Sequence, residues 1–80
     1  MAVLRLFAQA REAAGTGHDV VPGATVAEVL ATASARYGGG FDAVLGTCGV
    51  WLNGEPTAGD AEVTDGDEVA VLPPVSGGAA

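Results

Sequence analysis

Apolar and polar positions alternate at the start of the chain. In Ala2-Val-Leu-Arg-Leu-Phe7, a period of two puts Leu4 and Leu6 on one face and Val3, Arg5 and Phe7 on the other, which predicts a strand. Gly15-Thr-Gly17 reads as a turn, and His18 to Val21 as a second strand at hairpin distance, stopped by Pro22-Gly23. The period then lengthens. Val26, Val29, Leu30, Ala33 and Tyr37 recur at helical spacing, predicting a helix from Val26 to Tyr37 with one apolar stripe. Thr25-Val-Ala-Glu28 is a capping box, able to satisfy amides left without partners at the helix start. Gly38-Gly39-Gly40 ends the helix, with Gly38 suited to a left-handed C-terminal position.

Further on, Phe41 to Leu45 suits one more helical turn, with Thr47 at its exit. Gly49-Val-Trp-Leu-Asn53 predicts a third strand, closed by the turn pair Asn53-Gly54. Glu55 to Val63 is irregular with one short strand, and Thr64-Asp-Gly-Asp67 is a polar turn. Glu68-Val-Ala-Val-Leu72 is apolar almost throughout, as a strand at the centre of a sheet would be. Pro73-Pro74 ends it, because neither can donate to a ladder. Only one predicted helix is long enough to cover an apolar sheet face. The economical arrangement is α+β: a mixed sheet of four to five strands wrapped around that helix, with the first and last strands adjacent in the middle. That is the ubiquitin-like β-grasp, expected over residues 1–74, with a flexible tail over 75–80.

Composition narrows the function. Eighty residues make one domain. Ten acidic side chains stand against three arginines (Arg5, Arg11, Arg36) and no lysine, a formal net charge of -7. So acidic a surface would repel nucleic acid and anionic membranes. No apolar run approaches the roughly 20 residues that span a bilayer, and Met1 to Phe7 is too short for a signal peptide. One cysteine forms no internal disulfide, so a reducing cytoplasm is the expected compartment. Much of the apolar content is alanine, leaving too little wall for a buried substrate pocket. A carrier, inhibitor or binding module therefore fits better than a self-contained enzyme.

Other residue chemistry is sparse. Cys48 has no basic neighbour in sequence to activate its thiol and reads as a small core or edge residue. His18 has no second ligand at metal spacing and reads as a surface strand residue. Asp60, Glu62, Asp65, Asp67 and Glu68 lack the alternation of a calcium loop. They read as a solvated acidic face that steers the domain towards a basic groove on a partner. No bound cofactor or metal is expected.

The last residues, Pro73-Pro-Val-Ser-Gly-Gly-Ala-Ala80, lack the bulk to pack. From Val75 to Gly78 an extended chain reaches about 13–14 Å, and diglycine passes through a narrow active site because it has no side chain. A frayed terminus is the plain alternative.

Three segments in order, Leu6-Phe-Ala-Gln-Ala-Arg-Glu-Ala-Ala-Gly15, Thr64-Asp-Gly-Asp-Glu-Val69 and Leu72-Pro-Pro-Val-Ser-Gly-Gly78, resemble the MoaD/ThiS-type sulfur-carrier family, which includes the small subunit of molybdopterin synthase. Val50 to Glu55 fits the family's internal strand, and the Pro-Pro-Val-Ser-Gly-Gly run is the specific part. The resemblance implies that the carboxyl of Gly78, with Gly77 beside it, is adenylated by an E1-like activating enzyme using ATP and magnesium. It is then converted to a thiocarboxylate, which gives its sulfur to an acceptor in a synthase subunit. Phe7, Arg11, Leu72, Pro73, Pro74, Val75 and Ser76 are implied as the partner-binding positions. One departure stands out: the chain continues past Gly78 with Ala79-Ala80, so a partner protease is expected to cut between Gly78 and Ala79. Sulfur supply for molybdopterin, thiamin, cysteine or a sulfur-containing secondary metabolite would each suit such a carrier. A ubiquitin-like protein modifier and a plain binding module are readings of other classes.

Overall fold

The computed structural model describes residues 1–73. Five strands form one mixed sheet: β1 (Ala2–Leu6), β2 (His18–Val21), β3 (Gly49–Leu52), β4 (Glu55–Pro56) and β5 (Glu68–Leu72), in the order β2-β1-β5-β3-β4. β1 lies antiparallel to β2 and parallel to β5, and β3 is antiparallel to both β5 and β4. The first and last strands are thus neighbours in the middle, as the apolar run of Glu68–Leu72 predicts. This is the ubiquitin-like β-grasp.

Helix α2 (Val26–Tyr37) has the bounds its periodicity predicts and buries Val26, Val29 and Ala33. Its capping box closes with a small shift. The Glu28 amide donates to Thr25 Oγ1 at 3.2 Å, but the Glu28 carboxylate accepts from the Ala24 amide, at 3.1 Å, rather than from that of Thr25. The helix start rests directly on Gly23, where an added Cβ would fall 2.7 Å from the Val29 nitrogen. Leu4, Leu6, Val69 and Val71 face this helix from the two central strands and are fully enclosed. Phe41 completes the core, its ring edge-on to that of Tyr37 with centroids 5.1 Å apart.

Two local expectations are corrected. β1 and β2 do pair, but no tight hairpin joins them: helix α1 (Ala8–Ala14) fills the connection, and Gly15 closes it with φ 80°. Ala-Gln-Ala-Arg-Glu-Ala-Ala has strong helix propensity, but alanines alone make its inner face, so it carries no apolar stripe. Helix α3 begins earlier than expected and runs over Gly39–Leu45. Gly39 and Gly40 are therefore its first turn rather than a stop. Gly38 alone separates α2 from α3, with φ 98° and ψ -176°, a conformation outside the left-handed helical region that still suits glycine. Asn53 and Gly54 both take positive φ, 51° and 87°, as a tight two-residue turn between β3 and β4 requires. Among the described residues no helix is long and apolar enough to cross a membrane.

Candidate functional site

The site implied by the sequence gathers at one end of the two central strands. Leu6 lies beside Val71 in parallel register, and both point into the core. The next residue on each strand must point the other way. Phe7 and Leu72 therefore share the outer face, tied by a bond of 3.2 Å from the Phe7 amide to the Val71 carbonyl. Phe7 is 40% exposed, which is unusual for a phenylalanine beside a complete core. Its backbone is still extended, at φ -128° and ψ 152°, and Ala8 then turns the chain onto α1 through φ 50°. That left-handed angle costs an alanine roughly 1 kcal/mol, and it leaves the phenyl ring standing at the strand end instead of folding under the helix.

Arg11 lies one helical turn on, its amide donating to the Phe7 carbonyl at 3.4 Å. Its side chain runs along the backbone of Gly17: an added Cβ there would sit 3.3 Å from both Cδ and Nε of Arg11. The guanidinium is thus held near the β1–α1 corner, and the ion pairs between side chains of the described residues use Arg5 and Arg36 instead. Leu72 and Pro73 are half-buried where the described chain leaves the sheet. Pro74, Val75, Ser76, Gly77, Gly78 and the bond between Gly78 and Ala79 lie outside the described residues. Of the implied positions, the structure brings Phe7, Arg11, Leu72 and Pro73 to one corner.

Sequence reasoning missed Trp51. It stands opposite Ala70 in register and is 37% exposed, while its neighbours Val50 and Leu52 turn inward. Its indole nitrogen leans towards Gly49, where an added Cβ would lie 3.9 Å away, and Gly49 is the residue paired with Leu72. Period two along Gly49-Val-Trp-Leu-Asn53 shows that Trp51 and Gly49 share a face. Only the register of β3 on β5 shows that this face is the one carrying Leu72 and Phe7.

Asp67, Asp19 and Tyr37 are engaged within the fold. Asp67 accepts from the Thr64 amide at 2.8 Å, the Asn53 amide side chain at 3.2 Å and the Thr64 hydroxyl at 3.1 Å, and these bonds hold its carboxyl below its ordinary value. It shapes the polar turn before β5. Asp19 is likewise lowered, first by the Tyr37 hydroxyl and then by Arg36. The Tyr37 phenol is pushed up to about 12, chiefly by burial and then by its bond to Asp19. Cys48 is a free, half-buried thiol packed against the core, and His18 is exposed on β2, as expected of each.

A ThiS family model matches residues 4–78, nearly the whole chain. The chain belongs to the ThiS family. The molybdopterin synthase sulfur carrier subunit of Chlamydomonas reinhardtii is 40% identical over 78 residues, covering 90% of this chain and 92% of that protein. The solution structure of small archaeal modifier protein 1 from Methanosarcina acetivorans matches with TM-score 0.86 and 29% identity, covering 95% of this chain and 94% of that one. A BexX/CysO complex from Amycolatopsis orientalis contains a chain that matches with TM-score 0.80 and 25% identity, covering 96% of this chain and 99% of that one. The resemblance carried by the three sequence segments is thus borne out at the level of family and fold. As a ThiS family member, the chain presents its outer apolar corner at the root of the segment that carries the diglycine.

Proposed function

We propose that this chain is a sulfur carrier, a protein cosubstrate that other proteins load and unload. Removal of Ala79-Ala80 by a partner protease frees the carboxyl of Gly78. An E1-like activating enzyme, using ATP and magnesium, joins that carboxyl to AMP with loss of pyrophosphate. A hydrosulfide then attacks the acyl carbon, AMP leaves, and a thiocarboxylate remains. The Gly78 thiocarboxylate donates its sulfur to an acceptor held by a synthase subunit, in a molybdopterin-like biosynthetic pathway. The chemistry belongs in the reducing cytoplasm, where Cys48 stays a free thiol.

The observation that carries this reading is where the family match stops: it runs to Gly78 and leaves out Ala79-Ala80. The 40% identity to a molybdopterin synthase sulfur carrier subunit supports the molybdopterin-like pathway. Phe7, Leu72 and Trp51 supply an apolar surface for the loading and unloading partners, and Arg11 adds a charged contact at its margin. The test compares a version ending at Gly78 with the 80-residue chain, each incubated with the activating enzyme, ATP, magnesium and sulfide. The trimmed chain gains about 16 Da as sulfur replaces oxygen, and the full chain gains nothing. Equal loading of both, or of neither, overturns the proposal.

A second reading, a ubiquitin-like modifier, is favoured by the similarity to a small archaeal modifier protein. The same glycine would then end in an amide to another protein's lysine. An adduct that survives thiols and mild hydroxylamine marks that outcome. This chain has no lysine, so its own side chains could not extend such an adduct into a chain of copies.

A further inference from the structure

Strand β2 forms one outer edge of the sheet, and an open edge is a template for another strand. Pairing with β1 decides which of its backbone groups point outward. The Leu6 amide donates to the Gly17 carbonyl at 3.0 Å, and Leu4 stands opposite Asp19. By the alternation of an antiparallel ladder, Asp19 therefore faces β1, while the amides and carbonyls of His18 and Val20 face away.

Each of those four outward groups already has a side-chain partner. The His18 amide donates to Thr16 Oγ1 at 3.4 Å, and the same hydroxyl donates to the His18 carbonyl at 2.9 Å. The Val20 amide donates to Asp19 Oδ1 at 2.8 Å, and the Val20 carbonyl accepts from Arg36 Nη1 at 3.2 Å. Arg36 reaches across from the last turn of α2 and is held by Asp19 Oδ2 at 2.9 Å, which also accepts from the Tyr37 hydroxyl. The opposite edge is closed differently. Strand β4 is two residues long, and the Thr57 amide donates inward to the Val50 carbonyl at 3.1 Å, so the outward position falls to Pro56, which has no amide hydrogen.

We propose that Thr16, Asp19 and Arg36 form a lock on the β2 edge that prevents antiparallel pairing with the β2 edge of a second copy of this chain. The edge is self-complementary about Asp19. Two copies related by a two-fold axis would set His18 of each opposite Val20 of the other, and the outward groups would satisfy one another. Val20, 43% exposed on the outer face, would have the imidazole of the other copy's His18 across from it in that pair. With the lock closed, the partner surface is left to the Phe7–Leu72–Trp51 corner.

Sedimentation equilibrium tests the lock on the 80-residue chain, at salt high enough to screen the acidic surface. Thr16→Val/Arg36→Ala exposes both His18 groups and the Val20 carbonyl while keeping the Asp19–Tyr37 bond. It lowers the dimer dissociation constant at least about tenfold, since three groups otherwise left to water exchange it for strand–strand hydrogen bonds, each a modest net gain. Adding Val20→Pro, which removes an edge donor, returns the chain to wild-type behaviour. Thr16→Val alone, a change in a loop, gives an intermediate gain, and Thr16→Ser gives none. A folded Thr16→Val/Arg36→Ala chain that sediments like wild type overturns the proposal. So does an absence of any gain in Thr16→Val should the double variant fail to fold, or dimerisation that Val20→Pro leaves untouched.

Discussion

The two faces of β1 and β5 are made by alternate residues along the same two strands, with Phe7 extending β1 by one, yet they answer to different demands. Inward, Leu4, Leu6, Val69 and Val71 are closed off from water against α2. Outward, Arg5 meets Glu68 at 3.4 Å, Ala70 is small, and Phe7 and Leu72 keep apolar surface in view at the end where the chain departs. The inner face is decided by packing, which tolerates no gap. The outer face carries more apolar area than stability requires, which is the pattern of a surface kept for a partner.

Truncation on the inner face gives the largest effect. Leu4→Ala opens a cavity at the sheet centre and destabilises by about 2–5 kcal/mol, a large part of what a domain this small holds. Chemical denaturation reads it, and a midpoint within error of wild type would remove the distinction between the faces. Phe7→Ala sits one strand face away and behaves in the opposite sense. Its stability falls by about 1 kcal/mol or less, while the KM of the activating enzyme for the trimmed carrier rises about tenfold with kcat little changed. A Phe7→Ala chain that loads normally but melts early would make Phe7 part of the core instead.

The smallest effect lies at the rim, where Asp19 joins β2 to α2. Its folded carboxyl titrates below its ordinary value, so its contribution is complete above the unfolded value of about 3.9 and is lost as pH falls through the lower, folded one. Asp19→Asn therefore flattens the acid limb of the stability curve below about pH 4, leaving the limb due to Asp67 in place. Thermal melts at pH 7 and in steps below pH 4 measure it. An unchanged acid limb would mean that Asp19 gains nothing from Tyr37 and Arg36.

The strands and the main helix were legible in the chain because their signals are local. Period two fixes Leu4 and Leu6 against Phe7, and the Thr25–Glu28 cap with its apolar stripe bounds α2 to the residue. Helix α1 was not legible, since Ala10, Ala13 and Ala14 bury too little area to mark a face and the helix is stabilised by packing against α3. The glycines before Phe41 read as a stop, yet burial of that ring draws Gly39 and Gly40 into α3. Phe7, Arg11 and Leu72 were found through family resemblance. Trp51 escaped because its place depends on which strand lies beside β5, a fact of register that no local pattern contains.

The central position of β5 has a mechanical consequence. Because β1 and β3 grip it on both flanks, tension applied beyond Pro73 runs along two ladders at once and meets them in shear, with no free side from which bonds could peel away singly. Under the proposed function, a pull on the end of this chain by a proteinase or a loading enzyme would arrive at a strand held on both flanks.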